Sequence, residues 1–151
     1  MKRRLVHHQA NPQAFQAMLQ LEKFVRTSGL DDRLLELIKI RASQLNGCAY
    51  CLDMHTREAR EKGESEQRLY LLNAWREAAM YTDAERAALA LAEAVTLIAK
   101  EGVPEAVFEE VRKHFSEAEI VSLLMAINTI NAWNRLAIAT GMSAPADLPA
   151  R

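Results

Sequence analysis

Signals that begin and end helices recur along this chain, whereas the patterns typical of strands are missing. Residues 82–85 (Thr-Asp-Ala-Glu) and 116–119 (Ser-Glu-Ala-Glu) have the form of capping boxes at helix N-termini. Asn11 followed by Pro12 has the residue types of an N-cap and a first helical position. No sustained alternation of apolar and polar residues is found, as half-buried strands would require. The sequence therefore predicts an all-α fold.

Apolar residues at helical spacing fill the segments between these signals and predict a bundle of about six to seven helices. A chain of 151 residues, 50% of them hydrophobic, is long enough for a single domain with a core that needs no disulfide. We expect one domain over 1–142, an irregular arm around His7 and His8, and a frayed tail over 143–151, which carries two prolines. The expected helices lie near residues 12–28, 32–46, 48–62, 69–75, 83–100, 104–115 and 117–141.

The charge of the chain argues against several classes of partner. A formal net charge of -1 gives no global attraction to nucleic acid or to a membrane surface. The basic start at residues 2–4 is followed by histidines, glutamine and asparagine where a signal peptide would have an apolar segment. The apolar runs are too short to span a bilayer. We therefore expect a cytoplasmic protein without a nucleic-acid or membrane partner.

The only two cysteines of the chain, Cys48 and Cys51, stand close to His55. At about 100° per residue, all three side chains fall on one narrow face of a helix. Helical side chains lean toward the N-terminus, so the imidazole of His55 should reach back one turn to Cys51. Cys48 lies roughly 10 Å from His55 along the helix axis and would need a relay. His55 is thus better placed to act on Cys51.

This arrangement suits thiol redox chemistry in a reducing compartment. A thiol reacts as the thiolate, which both a nearby histidine and the N-terminus of a helix beside Gly47 would favour. A thiolate that attacks a peroxide becomes a sulfenic acid, and a second cysteine three positions away can condense with it to a disulfide. An external thiol or dithiol would then reset the pair.

Three other interpretations of these residues compete with a peroxidase. The Cys-x-x-Cys spacing could be accidental and the cysteines simply buried. Cys48, Cys51 and His55 could bind a structural zinc ion, although a fourth ligand is not evident. The pair could also exchange with the disulfide of a partner protein, as a disulfide reductase or a redox sensor. The spacing alone does not identify the oxidant.

The combination of Glu36, twelve positions before Cys48, with residues 48–51 (Cys-Ala-Tyr-Cys) and His55 resembles the signature of the AhpD-like alkylhydroperoxidases. These enzymes belong to the carboxymuconolactone decarboxylase superfamily. The resemblance is densest over residues 34–63 and is echoed at 128–135.

The resemblance implies an all-helical AhpD-like bundle that assembles as a trimer or hexamer and reduces hydroperoxides without a cofactor or metal. By position, Glu36 would be the distal carboxylate of a proton relay and His55 its imidazole. Cys48 and Cys51 would be the redox pair, with Cys51 attacking and Cys48 resolving. The superfamily's decarboxylases do not need this pair, which favours the redox branch.

One position departs from the family pattern. Tyr50 stands where the best-known peroxidase of the family has a second histidine, so that relay cannot be transferred whole. The departure predicts a weaker or altered peroxidase activity.

Several polar and aromatic residues remain open to two interpretations. Without the resemblance, Glu36 would be taken for a surface carboxylate. The asparagines at 128, 131 and 134 recur along the last helix either as a solvated stripe or as a buried hydrogen-bonding seam. Trp75 and Trp133 are expected in the core or at an interface.

Overall fold

The chain folds into helices joined by short connections. A computed structural model describes residues 2–144 and confirms the all-α prediction, because that part of the chain contains nine α-helices and no strand. The helices are α1 (His7–Ala10), α2 (Pro12–Arg26), α3 (Asp32–Asn46), α4 (Ala49–Glu61), α5 (Glu66–Leu71), α6 (Asp83–Thr96), α7 (Ile98–Glu101), α8 (Glu105–Arg112) and α9 (Glu117–Thr140), with a 3-10 turn at Leu72–Ala74.

The helix starts lie where the capping residues indicate. The side chain of Asn11 accepts a hydrogen bond from the Ala14 N–H at 3.0 Å, and Pro12 occupies the first helical position of α2. Capping boxes form at the starts of α6 and α9, around Thr82 and Ser116. Each satisfies backbone N–H groups that the first turn of a helix leaves without a partner.

Two segments differ from their predicted form. The helix expected over 83–100 is interrupted at Leu97, whose φ of -103° and ψ of 24° leave the helical region, so that α6 and α7 are separate. The arm around His7 and His8 is not irregular but forms α1, which packs against α2. Of the predicted tail, Ser143 and Ala144 lie outside helices, and residues 145–151 lie outside the described residues.

Helix α3 is the central element and packs against α4, α6 and α9. Its ten consecutive residues from 34 to 43 are all buried, including Glu36, Lys39 and Arg41. A helix buried on every side has no solvent-facing stripe, so its charged side chains must find partners inside the protein. Glu93 on α6 is the partner of Arg41, at 2.7 Å.

The N-terminal segment crosses the end of α9. The backbone N–H of Arg4 donates to the carbonyl oxygen of Thr140 at 2.9 Å. Gly141, which ends α9 with a φ of 73°, passes so close that a Cβ there would lie 2.6 Å from the carbonyl oxygen of Lys2. Within residues 2–144, no helix is both long and apolar enough to span a membrane.

Candidate active site

The connection between α3 and α4 positions both cysteines. Gly47 ends α3 in the left-handed conformation, with φ 70° and ψ 32°, and turns the chain sharply into α4. Cys48 is the N-cap of α4 rather than its first helical residue, and its Sγ accepts a hydrogen bond from the backbone N–H of Cys51 at 3.4 Å. The sulfur of Cys48 therefore lies directly at the positive end of the helix.

Both cysteines are free thiols with almost no exposed surface, 1% for Cys48 and 2% for Cys51. They pack in one apolar cluster with Ala42 of α3 and with Ile130 and Ala137 of α9. Burial in such surroundings would make a thiol inert unless nearby groups stabilise its charge.

The two thiols interact with each other. The S–H of Cys51 stabilises a negative charge on Cys48, which with the backbone N–H of Cys51 lowers the pKa of Cys48 to about 7. The same hydrogen bond, together with burial, raises the pKa of Cys51. The first proton lost by the pair is thus lost easily, and the remaining proton is held between the two sulfurs.

His55 follows Cys51 by one turn of α4 and binds the carboxylate of Glu36. Its Nδ1 lies 2.9 Å from Oε2 of Glu36, and His55 is only 3% exposed. Glu36 has no exposed surface at all, so the interpretation of this residue as a surface carboxylate is wrong. Central α3 carries Glu36 inward, toward α4. The structure therefore brings Glu36, which only the family resemblance added to the site, together with His55, Cys51 and Cys48.

Glu36 and His55 are surrounded by four charged residues. The sequence did not assign any of these four to the site. Lys62 donates to Oε1 of Glu36 at 2.7 Å, and Lys39 lies 4.0 Å from the same oxygen. Lys39 also donates to Glu22 of α2 at 2.7 Å, and Glu58 lies 3.6 Å from Nδ1 of His55. Residues three apart on a helix are neighbours, so the sequence could have indicated Lys39 beside Glu36 and Glu58 beside His55. No local pattern indicates that Lys62 or Glu22 belongs to the site.

These contacts decide the charges at the site. Burial alone would raise the pKa of Glu36, but hydrogen bonds from His55 and Lys62 outweigh it and lower that pKa to about 2. Burial would likewise lower the pKa of His55, but hydrogen bonds to Glu36 and Glu58 outweigh it and raise that pKa. Glu36 is therefore a carboxylate at neutral pH, and His55 carries a proton more readily than a free histidine.

A cavity of about 220 Å³ opens beside Cys51 and His55, between α2, α4 and α9. Both of these side chains line it, and Cys48 does not. Six apolar side chains form most of its wall: Phe15, Leu19, Met54, Trp133, Ala137 and Met142. Trp133 is therefore a cavity residue, whereas Trp75 is a core residue that donates from its indole to Glu93. Cys51 is the sulfur that a small molecule in this cavity would meet.

Comparisons with known proteins identify the family of the chain. Residues 12–94 match the carboxymuconolactone decarboxylase family, and this match includes Glu36, both cysteines and His55. The chain belongs to the carboxymuconolactone decarboxylase family. It is 45% identical over 141 residues to the uncharacterized protein YdfG of Bacillus subtilis, covering 93% of this chain and 96% of that protein.

Solved structures place this family member in its AhpD-like branch. It is 47% identical to a protein of unknown function from Agrobacterium tumefaciens, provisionally named antioxidant defence protein AhpD, with a TM-score of 0.94 and coverage of 97% of this chain and 100% of that one. It is 27% identical to an uncharacterized peroxidase-related protein from Silicibacter sp. TM1040, with a TM-score of 0.79 and coverage of 91% and 73% respectively.

Tyr50 is half-buried and lies at the cavity wall. Three further polar residues line the cavity: His7, Glu22 and Arg26. Nδ1 of His7 is buried there without a hydrogen-bond partner, and its ring packs against Phe15 and Trp133 with centroid distances of 5.5 and 6.3 Å. The surface of the cavity is thus mainly apolar and aromatic, and its polar lining residues are Cys51, His55, Tyr50, His7, Glu22 and Arg26.

The structure offers no support for zinc at the cysteines. Among residues 2–144, the group whose potential ligand atoms converge, within 4.8 Å of one another, is Glu36, His55 and Glu58, without either sulfur. The ammonium group of Lys62 already lies on Glu36, and a cation in that position would be repelled by it. The cysteines and His55 do not form a common ligand set.

Proposed function

We propose that this AhpD-like protein is a thiol-dependent peroxidase that reduces organic hydroperoxides through a dithiol-disulfide cycle of Cys48 and Cys51. The observation that carries the proposal is that Cys51 and His55 share one small apolar cavity while Cys48 lies behind Cys51, in contact with it. A substrate in the cavity would therefore meet one sulfur and one imidazole, with the second sulfur ready behind them.

The first step is attack by Cys51. Transfer of the shared proton to Cys48 leaves the negative charge on Cys51, which attacks the terminal oxygen of the hydroperoxide. The O–O bond breaks, Cys51 becomes a sulfenic acid, and the leaving alkoxide takes a proton from the imidazolium of His55 to give the alcohol. The bond to Glu36 favours that imidazolium before the reaction.

The second step closes the disulfide. Cys48 gives its proton through a relay to the now neutral His55 and attacks the sulfur of the sulfenic acid. Hydroxide leaves and takes the same proton from His55, which yields water and a Cys48 to Cys51 disulfide. An external thiol or dithiol then reduces the disulfide. Over one cycle, two thiols and one hydroperoxide become a disulfide, an alcohol and water.

The cavity favours an organic substrate over hydrogen peroxide. Its apolar wall would gain hydrophobic free energy from a hydrocarbon group, and a cavity of about 150 Å³ is already sufficient for benzene. At about 220 Å³, this cavity would accept a ring with a short substituent. We expect cumene hydroperoxide to react faster than hydrogen peroxide.

A single-turnover experiment tests the proposal. The reduced protein is mixed with one equivalent of cumene hydroperoxide, and thiols, alcohol and disulfide are quantified, the last by mass spectrometry. Wild type should lose two thiols per alcohol formed. Cys51→Ser should form no alcohol, whereas Cys48→Ser should form one alcohol and a sulfenic acid that a dimedone probe traps. Full turnover by Cys51→Ser would overturn the assignment.

The role of His55 has a matched control in His114, which also lies near a carboxylate, at 3.4 Å from Glu110. His55→Gln should slow alcohol formation by about 10²-fold, the lower end of the range for general acid-base catalysis. His114→Gln should leave the rate unchanged. Equal rates for the two variants would remove His55 from the mechanism.

A disulfide reductase or redox sensor would use the same pair on a protein substrate. With exposures of 1% and 2%, the two sulfurs are poorly accessible to a disulfide on another protein. Comparing the rate with cumene hydroperoxide against that with a disulfide such as oxidised insulin separates the two functions. A faster reaction with the disulfide would reverse our preference.

The assembly as a trimer or hexamer, implied by the AhpD resemblance, is part of the proposal. Light scattering of the purified protein measures it directly, and a monomer at micromolar concentration would contradict it.

A further inference from the structure

The three asparagines on α9 do not behave alike. Asn128 is exposed, whereas Asn131 is 7% and Asn134 is 0% exposed. For the two buried residues the seam interpretation holds, and the solvated stripe applies to Asn128 alone. Asn46 of α3 joins the seam by donating to Oδ1 of both Asn131 and Asn134, each at 2.9 Å.

Asn134 lies where α9 meets the cysteines. Ile130, one turn before it, and Ala137, almost one turn after it, both pack in the cluster that holds Cys48 and Cys51. The side chain of Asn134 is therefore on the face of α9 that covers the two sulfurs. None of the steps proposed above uses this buried polar group.

The hydrogen bonds of Asn134 fix the direction of its amide. Its Oδ1 accepts the N–H of Asn46, and its Nδ2 donates to Oγ of Ser43 at 3.0 Å. A flipped amide would place the NH₂ group of Asn134 against that of Asn46, donor against donor. The amide therefore presents its N–H groups toward the side where Ser43 and the sulfurs lie.

We propose that Asn134 stabilises the negative charge of the cysteine pair by donating an N–H to it, and so sets the fraction of reactive thiolate. An amide has two N–H groups, and only one is needed for Ser43. Hydrogen bonds from the side chain of Asn134 act to lower the pKa of both Cys48 and Cys51. In such an apolar cluster, a neutral hydrogen-bond donor has a large effect on a buried charge.

The inference rests on the proposed function for its biological meaning, but its test does not require a peroxide. The rate of alkylation by iodoacetamide as a function of pH reports the thiolate fraction directly. If Asn134→Ala shifts the thiol pKa but the wild-type protein does not reduce peroxide, only the proposed peroxidase function is contradicted. Normal peroxide chemistry without a shift would contradict the role of Asn134 alone.

The decisive variants are Asn134→Ala and its matched control Asn131→Ala. Asn131 is buried on the same helix and donates to Thr96 at 2.9 Å, away from the sulfurs, so its loss costs stability in a similar way. Asn134→Ala should raise the apparent thiol pKa by about one unit, which below that pKa means roughly tenfold slower alkylation. Asn131→Ala should leave the profile within about 0.2 units of wild type.

Two further measurements keep the inference testable if Asn134→Ala does not fold. Asn134→Asp has the same size but places a carboxylate beside the sulfurs, so it should raise the thiol pKa further than alanine does. In wild type, the side-chain amide of Asn134 should titrate in ¹⁵N NMR with the thiol pKa, while that of Asn131 should not. Overlapping alkylation profiles, equal shifts in the two alanine variants, or a silent Asn134 amide would each overturn it.

Discussion

Glu36 holds His55 by a 2.9 Å contact between Oε2 and Nδ1 while its carboxylate is completely buried. Because Nδ1 is hydrogen-bonded to Glu36, Nε2 is the ring nitrogen that can exchange a proton with a molecule in the cavity. The buried carboxylate also carries the ammonium of Lys62 on its other oxygen. Stability and reactivity are therefore linked at this site, since the group that orients the imidazole must stay ionised inside the protein.

The ionisation of Glu36 should make stability depend on pH in a defined window. Its pKa falls from 4.5 to about 2 on folding, so its contribution is present above about pH 4.5 and is lost as the pH falls toward 2. The shift corresponds to roughly 3 kcal/mol. The difference in unfolding free energy between wild type and Glu36→Gln, from urea titrations, should be largest above pH 5 and shrink toward pH 2.

The control for that measurement is Glu110→Gln. Glu110 also pairs with a lysine, Lys113, but on the surface, where water and salt screen the pair. Its difference from wild type should be small at every pH. A difference for Glu36→Gln that did not change between pH 5 and pH 2 would contradict the assigned ionisation.

Lys62 should tune His55 through the shared carboxylate. In Lys62→Met the positive charge near the pair is lost, and Glu36 binds the imidazole more strongly, so the pKa of His55 should rise further. NMR titration of the imidazole measures this directly, and the alkaline limit of the peroxidase pH profile should move up with it. Lys113→Met is the control, and a fall in the pKa of His55 in Lys62→Met would contradict the model of shared charge.

The mutual hydrogen bond of the cysteines predicts opposite effects of removing each sulfur. Cys51→Ala removes the S–H that stabilises charge on Cys48, so the pKa of Cys48 should rise from about 7. Cys48→Ala removes the neighbouring charge that keeps Cys51 protonated, so the pKa of Cys51 should fall from its raised value. Alkylation profiles of the two variants measure both, and unchanged pKa values in both variants would show that the thiols titrate independently.

Local signals predicted the helices better than they predicted the site. Asn11, Thr82 and Ser116 satisfy backbone groups only a few residues away, so a short stretch of sequence is enough to locate their helices. The break at Leu97 is different, because no glycine or proline marks that position.

At the site, spacing on one helix placed His55 near Cys51, but tertiary packing decides the rest. Glu36 was included only by its resemblance to a family pattern, because its complete burial follows from the position of α3 between three other helices. The contact of Asn134 with Asn46 joins residues 88 positions apart. No local pattern predicts a contact between residues so far apart in the sequence. Once it is known which face of α9 is buried, the exposure of Asn128 and the burial of Asn131 and Asn134 follow.

Gly47 should matter for both the fold and the cysteines, because it is the joint that places Cys48 at the start of α4. Its φ of 70° costs any residue with a Cβ about 1–2 kcal/mol, although nothing lies within 4 Å to clash with one. Gly47→Ala should therefore lower the unfolding free energy by about that amount, and the altered turn should weaken the 3.4 Å contact of Cys48 with the Cys51 N–H.

Gly63→Ala is the matched control, since Gly63 has a φ of 89° and open space around it but lies beyond the other end of α4. Both variants should lose similar stability in urea titrations, and only Gly47→Ala should slow alkylation of the cysteines at pH 7. Equal alkylation rates would mean that the pair keeps its geometry independently of this turn.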